Sequence, residues 1–253
     1  MNWTAIWALT WKELKRFIKV PGQTLGAPVV TTFLYFVVFS LSLGRGMIEI
    51  QGVSYTEFIM PGLIMMSVMT GALSSVSSAL MLSKIMGTLS DLLVSPMTYL
   101  EMILGFSLSS VIRSMVTAAL IYGTALFFVP FKVEHPIYLL VYLVIVAFAF
   151  SVAGLIIGIW ADTFEQVSIF PTFLITPLSF LGGIFYSIEV LPAVLQTVSR
   201  LNPLLYMING LRYGFYGVSD VDPTLAFIVG SVFLLVLSLV IWRLFSTGYK
   251  IKT

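Results

Sequence analysis

The sequence predicts an all-α polytopic membrane protein, and three features lead to this fold class. The 253 residues are 59% hydrophobic and 9% charged, and their mean hydropathy is +1.05. Six apolar runs follow one another, each near the roughly 20 residues that cross about 30 Å of hydrocarbon. No extended stretch lacks such a run, so no large soluble domain can be separated from the membrane-spanning part.

The first 20 residues are predicted to form a cytoplasmic interfacial helix. On a helical wheel the apolar side carries Trp3, Ile6, Trp7, Trp11, Leu14, Phe17 and Ile18, and the polar side carries Lys12, Lys15, Arg16 and Lys19. Tryptophans beside a basic face are typical of a helix that lies in the plane of the membrane surface. The basic residues follow the first apolar turns, which argues against a signal peptide.

Residues 21–253 are predicted to form one six-span domain. The spans are expected at about 25–44, 57–82, 102–128, 136–160, 166–186 and 224–244, and residues 45–56 form a polar loop. Within the fourth span, Gly154 and Gly158 make a small-xxx-small pair, which favours close packing against another helix.

The basic residues predict the orientation of the chain. With both termini cytoplasmic, the inner side holds Lys12, Lys15, Arg16, Lys19, Lys84, Arg243, Lys250 and Lys252, and the outer side holds Arg45, Lys132, Arg200 and Arg212. Eight inner against four outer basic residues agrees with the positive-inside rule. A seventh span would move the C-terminal basic residues outside and reverse the majority.

Residues 187–217 are therefore predicted not to cross the membrane. Pro192 and the pair Asn202-Pro203 interrupt any single helix in this stretch. Two short helices, at about 190–200 and 204–215, would form an external re-entrant hairpin that enters the membrane partway and returns. Irregular backbone at that depth requires cover by protein or a water-filled cavity.

Several kinds of chemistry are excluded by the residues present. No phosphate loop occurs, so the chain has no recognisable ATP site of its own and no catalytic residues are expected. Cysteine is absent and the single histidine, His135, lies in a loop, so neither a metal site nor a serine protease is expected. The net charge of +2 gives no indication of nucleic-acid binding.

Arg113 is the one ionisable residue deep within a predicted span. Such a residue is either functional or a structural pair with a neighbouring polar group. Glu101 and Asp162, near the inner boundary, are candidate partners.

Two short cytoplasmic connections mix polar and apolar residues, as a docking surface for a soluble partner does. The first is "LSKIMGTLSDLLVSPMTYLE", from Leu82 to Glu101, and the second is "WADTFEQVS", from Trp160 to Ser168. By themselves, such connections also occur as ordinary loops.

The chain resembles the membrane subunits of type-2 ATP-binding-cassette (ABC) exporters. The resemblance is carried, in order, by "YTEFIMPGLIMMSVM", "GTLSDLLVSPMT", "EMILGFSL", "GIWADTFEQVSIFPTFLITPLSFLGGIFY" and "LNPLLYMINGLRYGFYG". No single motif is specific to the family. The resemblance rests on the order and spacing of these motifs over nearly the whole length of the chain. "PLSFLGGIFYSIEVLP" is similar to bacterial permeases that are encoded apart from their ATPase.

This resemblance implies a six-span permease that works as a dimer with two cytoplasmic nucleotide-binding ATPase subunits, which bind ATP and Mg. It implies a coupling helix at about 84–96 and the external hairpin. The implied ATPase-coupling residues are Lys84, Gly87, Leu89, Asp91, Leu92, Leu93, Pro96, Asp162 and Glu165, flanked by the interfacial helix with Trp7, Trp11, Lys12, Lys15 and Arg16. The implied external gate is formed by Asn202, Pro203 and Arg212, and Phe33, Phe36, Phe173 and Phe180 are candidates for the substrate path.

The expected function is export of a lipid, glycan, drug or similar amphipathic molecule across a bacterial inner membrane. An ion-coupled secondary transporter or channel is the alternative, but it would require acidic residues deep in several spans. A membrane scaffold without transport is a second alternative. The charge set Glu189, Arg200 and Arg212 would suit a sugar cargo.

Overall fold

The computed structural model describes residues 1–43, 49–127 and 132–248, and this part of the chain is a helical bundle. The helices are α1 (Trp3–Lys19), α2 (Ala27–Leu43), α3 (Tyr55–Ile85), α4 (Thr88–Val94), α5 (Tyr99–Ala125), α6 (Pro136–Trp160), α7 (Phe164–Ile169), α8 (Thr176–Leu181), α9 (Ala193–Leu201), α10 (Pro203–Tyr216) and α11 (Pro223–Thr247). Single π-helical turns, Gly22–Gly26 and Phe170–Ile175, lead into α2 and join α7 to α8.

Helix α3 is the centre of the bundle and contacts α2, α5, α6 and α10. It begins at a capping box in which the Ser54 hydroxyl accepts from the Glu57 N–H and the Glu57 carboxylate accepts from the Ser54 N–H. It packs most extensively on α6, where two glycines allow the backbones to approach. A methyl group on Gly154 would lie 2.5 Å from the Leu73 carbonyl oxygen, so the predicted close packing is confirmed.

Helices lie in all six predicted apolar runs, which confirms the prediction of a helical polytopic protein. Within the described part of the chain, five helices, counting α7 to α8 as one, are long and apolar enough to cross a membrane. The first run forms α2, which follows α1 after a bend of 91°. The exposed faces of α2, of α7 to α8 and of α11 are apolar, as surfaces that face lipid or another membrane helix must be.

Two details differ from the predictions. The loop at 45–56 contains a two-stranded antiparallel hairpin, β1 (Glu49–Ile50) and β2 (Val53–Ser54), because Gln51 and Gly52 adopt the positive φ angles of a tight turn. The fifth span ends at Leu181 rather than at 186, since Gly183 has a φ of +78° and leaves the helical path.

The predicted orientation depends partly on residues outside the described part of the chain. Arg45, Lys250 and Lys252 belong to that group, as do the predicted span ends at 44 and 128. The inward orientation of both termini therefore stays a prediction.

Candidate functional site

Helix α4 is a short helix attached to the end of the bundle where α3 ends. Leu89 is buried with residues of α3, α5 and α11, and Leu92 and Leu93 pack against the same cluster. The opposite side is open: Asp91 and Pro96 are exposed, and Val94 is 89% exposed. The helix therefore has one face anchored in the membrane bundle and one face available to a partner.

Gly87 determines how the chain turns from α3 into α4. Its φ is +72°, in the left-handed region, and no atom would contact a side chain at this position. Steric space therefore imposes no restriction, and only the backbone conformation requires glycine.

Changing Gly87 is expected to misplace α4 without disturbing the spans. A β-branched residue is disfavoured at positive φ by about 1–2 kcal/mol, whereas asparagine tolerates this conformation. We expect Gly87→Val to increase hydrogen exchange in residues 84–96 and Gly87→Asn to leave it near the native level. Equal exchange in both variants would contradict this account of the turn.

Lys84, at the end of α3, binds the end of α6. Its ammonium group donates to the carbonyl oxygens of Ile159 and Ala161, the latter at 3.1 Å, at the C-terminal end of α6. A lysine there satisfies carbonyls that the helix leaves without partners. Lys84 thus joins α3 to α6 instead of lying on the open face of α4.

The second connection, residues 160–168, starts where Lys84 binds. The Thr163 hydroxyl accepts from the Gln166 N–H at the start of α7, while Asp162 and Glu165 are exposed. Ala161 and Val167 pack with Met81 of α3, which brings the two connections to the same end of the bundle.

Helix α1 lies along α5 with its tryptophans outside. Trp7 and Trp11 are exposed and stack with centroids 6.3 Å apart, and Lys12 and Lys15 are exposed beside them. The buried side is formed by Ile6, Leu9, Thr10, Glu13 and Leu14. Ile6 and Leu14, which the helical wheel places on the apolar side with the tryptophans, belong to the stripe that packs against α5.

Helices α9 and α10 occupy the stretch where two short helices were predicted. Asn202 separates them: its side chain accepts from the Leu204 N–H at 3.0 Å and donates to the Leu178 carbonyl at 2.6 Å. Pro203 takes the first position of α10, where its missing N–H is not needed. Helix α9 exposes apolar side chains, and Leu201 is 81% exposed.

Arg212 of α10 is the centre of a buried polar cluster. Its side chain is fully buried and pairs with the Asp220 carboxylate at 3.4 Å. The guanidinium also donates to the Gly183 carbonyl at 2.7 Å, the Asn209 side chain at 2.9 Å and the Phe58 carbonyl at 3.3 Å. One side chain thereby ties α10 to α3, to the turn after α8 and to the loop before α11.

Asp220 extends the cluster toward the surface. Its carboxylate accepts from Ser187 and from Gln51, the latter at 2.7 Å, and its N–H donates to Asn209 at 2.9 Å. A surface charge able to contact a sugar was one interpretation of Arg212, and it was wrong because the guanidinium is completely enclosed.

Arg113 contacts the peptide backbone near the bend between α1 and α2. It donates to the Thr24 carbonyl at 3.2 Å, and its guanidinium lies 5.5 Å from the centre of the Phe17 ring. Glu101, one of the two predicted partners, accepts instead from the N–H groups of Asn2 and Thr98 at the start of α5. A carboxylate there satisfies the free N–H groups of a helix start.

The four predicted path aromatics have different surroundings. Phe173 is 75% exposed and Phe36 is only 2% exposed, within the core beside α3. Phe180 is partly buried and its ring lies 5.2 Å from that of Phe185, and Phe33 is also partly buried. Phe36 therefore does not line an open path in the single chain, since it fills the α2–α3 contact.

The Asp222 carboxylate caps the start of α11. The N–H groups of Leu225 and Thr224 lower the pKa of the Asp222 carboxyl, which is exposed at the start of α11.

Among the described residues, no group of three His, Asp or Glu side chains is arranged to hold a metal ion.

Comparison with known proteins agrees with this architecture. The family model described as ABC-2 type transporter matches residues 4–216. The chain belongs to the ABC-2 type transporter family. Over 253 residues it is 41% identical to the "Inner membrane transport permease YadH" of Escherichia coli K12, covering 100% of this chain and 99% of that protein.

More distant relatives of this ABC-2 transporter chain include nodulation proteins. "Nodulation protein J" of Neorhizobium galegae is 25% identical, with 89% of this chain and 85% of that protein covered. "Nodulation protein J" of Rhizobium meliloti is 26% identical, with 83% and 80% covered. These similarities extend over most of each chain.

Proposed function

We propose that this chain is the non-catalytic permease subunit of an ABC exporter in a bacterial inner membrane. Two copies form the substrate pathway, and two separate cytoplasmic ATPase subunits bind ATP and Mg and drive transport. Family membership and the YadH similarity support the transport role. The sequence contains no phosphate loop, which supports a separate source of ATP hydrolysis.

The single observation that carries ATPase coupling is the two-sided character of α4. Leu89 anchors the helix in the bundle, while Val94 of α4 and the neighbouring Ile85 and Met86 at the end of α3 are exposed apolar side chains, and Asp91 is exposed as well. Exposed apolar side chains among polar residues are typical of a protein–protein contact. We propose that this surface lies in a groove of the ATPase, with Asp162 and Glu165 at its margin.

Movement of α4 has a direct route into the spans. Leu89 packs in a cluster with Phe106 of α5 and Phe245 of α11, and Lys84 holds the end of α6. A rigid-body shift of α4 therefore pulls on several helices together. In the proposed cycle, ATP binding closes the ATPase dimer, the two α4 helices approach, and the permease dimer opens outward.

The substrate pathway is proposed to lie between the two copies, along α2, α3 and the α7 to α8 span. The α7 to α8 span is largely exposed in the single chain, with Phe173 outermost. A cavity of about 310 Å³ between α2 and α3 is lined partly by the hydroxyl residues Thr31, Ser67 and Thr70. Mixed apolar and hydroxyl lining supports an amphipathic cargo such as a lipid, a glycan or a drug.

The chain is proposed to have both termini in the cytoplasm. Residues 1–20 then lie on the inner membrane surface, and α9 with α10 forms the re-entrant hairpin at the outer side. Asn202 and Pro203 form its hinge, and Arg212 fixes α10 as the rigid half of the gate. The exposed apolar face of α9, which includes Val194 and Leu201, supports contact with lipid or with the second copy.

Co-purification tests the coupling surface. The double variant Asp91→Lys/Val94→Lys is expected to reduce recovery of the ATPase subunit at least about tenfold, because it places two ammonium groups in a contact made largely by apolar side chains. Ser246→Lys, an exposed change at the end of α11, is the control and should leave recovery unchanged. Recovery of the native permease without any phosphate-loop subunit would favour the ion-coupled alternative.

A further inference from the structure

A partly open cavity of about 410 Å³ lies behind the interfacial helix, between α1, α3, α5 and the start of α7 of one chain. It is separate from the α2–α3 face proposed for transport. Its wall includes two arginines, Arg16 and Arg113, and one carboxylate, Glu13. We propose that this cavity binds the phosphate headgroup of an anionic phospholipid.

The charges around the cavity are not balanced by the protein. Glu13 is buried and pairs with Arg16 at 3.3 Å. Arg113 forms no ion pair among the described residues, and its contacts are a carbonyl oxygen and an aromatic ring. The Arg16 and Arg113 side chains line the same cavity. Among the lining residues that the structure describes, one positive charge is therefore left for a ligand to neutralise.

The geometry of the wall suits a phosphate. Arginine presents several N–H donors in a plane that matches phosphate oxygens, and Arg113 uses one of its donors on the Thr24 carbonyl. Ser74, Ser75 and Ser78 of α3 also line the cavity, and Arg16 donates to the Ser75 carbonyl at 3.4 Å. Hydroxyl groups can donate to the remaining phosphate oxygens.

The mouth of the cavity favours a lipid over a free phosphate. Phe17, Val20 and Phe164 line the same space, and Val20 and Phe164 are exposed apolar side chains. A ligand that joins an anionic group to acyl chains fits a charged cavity with an apolar rim.

Native mass spectrometry of the delipidated protein tests this proposal, with phosphatidylglycerol as the probe and phosphatidylcholine as the comparison lipid. We expect the native protein to prefer phosphatidylglycerol and Arg113→Gln to bind it at least about tenfold more weakly. Arg113→Lys should retain part of the affinity. The control, Lys15→Gln, removes the same charge from the exposed side of α1 and should bind normally.

A cavity-filling variant gives an independent result if Arg113→Gln does not fold. Ser78→Phe keeps both arginines, and we expect it to lose phosphatidylglycerol binding as well. Equal affinity for the two lipids, or unchanged binding in both variants, would overturn the proposal. Displacement of the lipid by inorganic phosphate at an equal concentration would identify a free phosphate site instead. The ATPase is not involved in this measurement, so its result is independent of the proposed transport function.

Discussion

Replacing Arg212 with glutamine is expected to destabilise the protein by about 3–5 kcal/mol, because the Asp220 carboxylate would be left buried without its partner. The Gly183 and Phe58 carbonyls would lose a donor at the same time. The measurement is the midpoint of thermal unfolding in detergent, followed by the recovery of a single peak in size-exclusion chromatography.

Two further variants separate loss of the buried pair from loss of charge. Arg200→Gln removes an exposed arginine from α9 and should change the unfolding midpoint little. Arg212→Met combined with Asp220→Leu removes both charges, so it should be more stable than Arg212→Gln alone. If Arg212→Gln has the same unfolding midpoint as the native protein, Arg212 is not the residue that holds α10 in place.

Replacing Gly154 with alanine is expected to cost about 1–3 kcal/mol, because the new methyl group would overlap the Leu73 backbone. A carbonyl oxygen at 2.5 Å cannot turn aside as a flexible side chain can, so α3 and α6 would have to separate. The same thermal unfolding assay measures this effect.

Gly71→Ala is the matched control for the α3–α6 contact. Gly71 lies in α3 and no atom would contact its methyl group. Alanine favours helix over glycine by up to about 1 kcal/mol, so this variant should be unchanged or slightly more stable. A similar loss of stability in both variants would mean that close packing at Gly154 is not responsible.

Much of the fold follows from local sequence features. The apolar runs predict the spans because hydrocarbon selects helices of a fixed length. The family resemblance implies a short helix at about 84–96, and the structure has α4 in this stretch, beginning one residue after Gly87. The break at Asn202-Pro203 likewise separates two helices as expected.

The polar clusters could not be predicted, because they depend on residues that are distant in the sequence. Arg212 contacts the Phe58 carbonyl across 154 positions, and nothing near Arg212 in the sequence indicates that it is enclosed. Asp220 lies beside Asp222, and only the structure distinguishes the buried partner from the helix cap. Glu13 was missed because a helical wheel separates polar from apolar sides but does not identify the side that packs on α5.

Site-specific cross-linking from α4 tests the central claim, ATPase docking, most directly. The chain has no cysteine, so Val94→Cys introduces a single thiol on the exposed side of α4, and Leu201→Cys introduces one on α9 as the control. We predict that Val94→Cys in native membranes cross-links to a soluble subunit with a phosphate loop and that Leu201→Cys does not. Absence of that product from Val94→Cys, or its equal formation from both positions, would contradict the account.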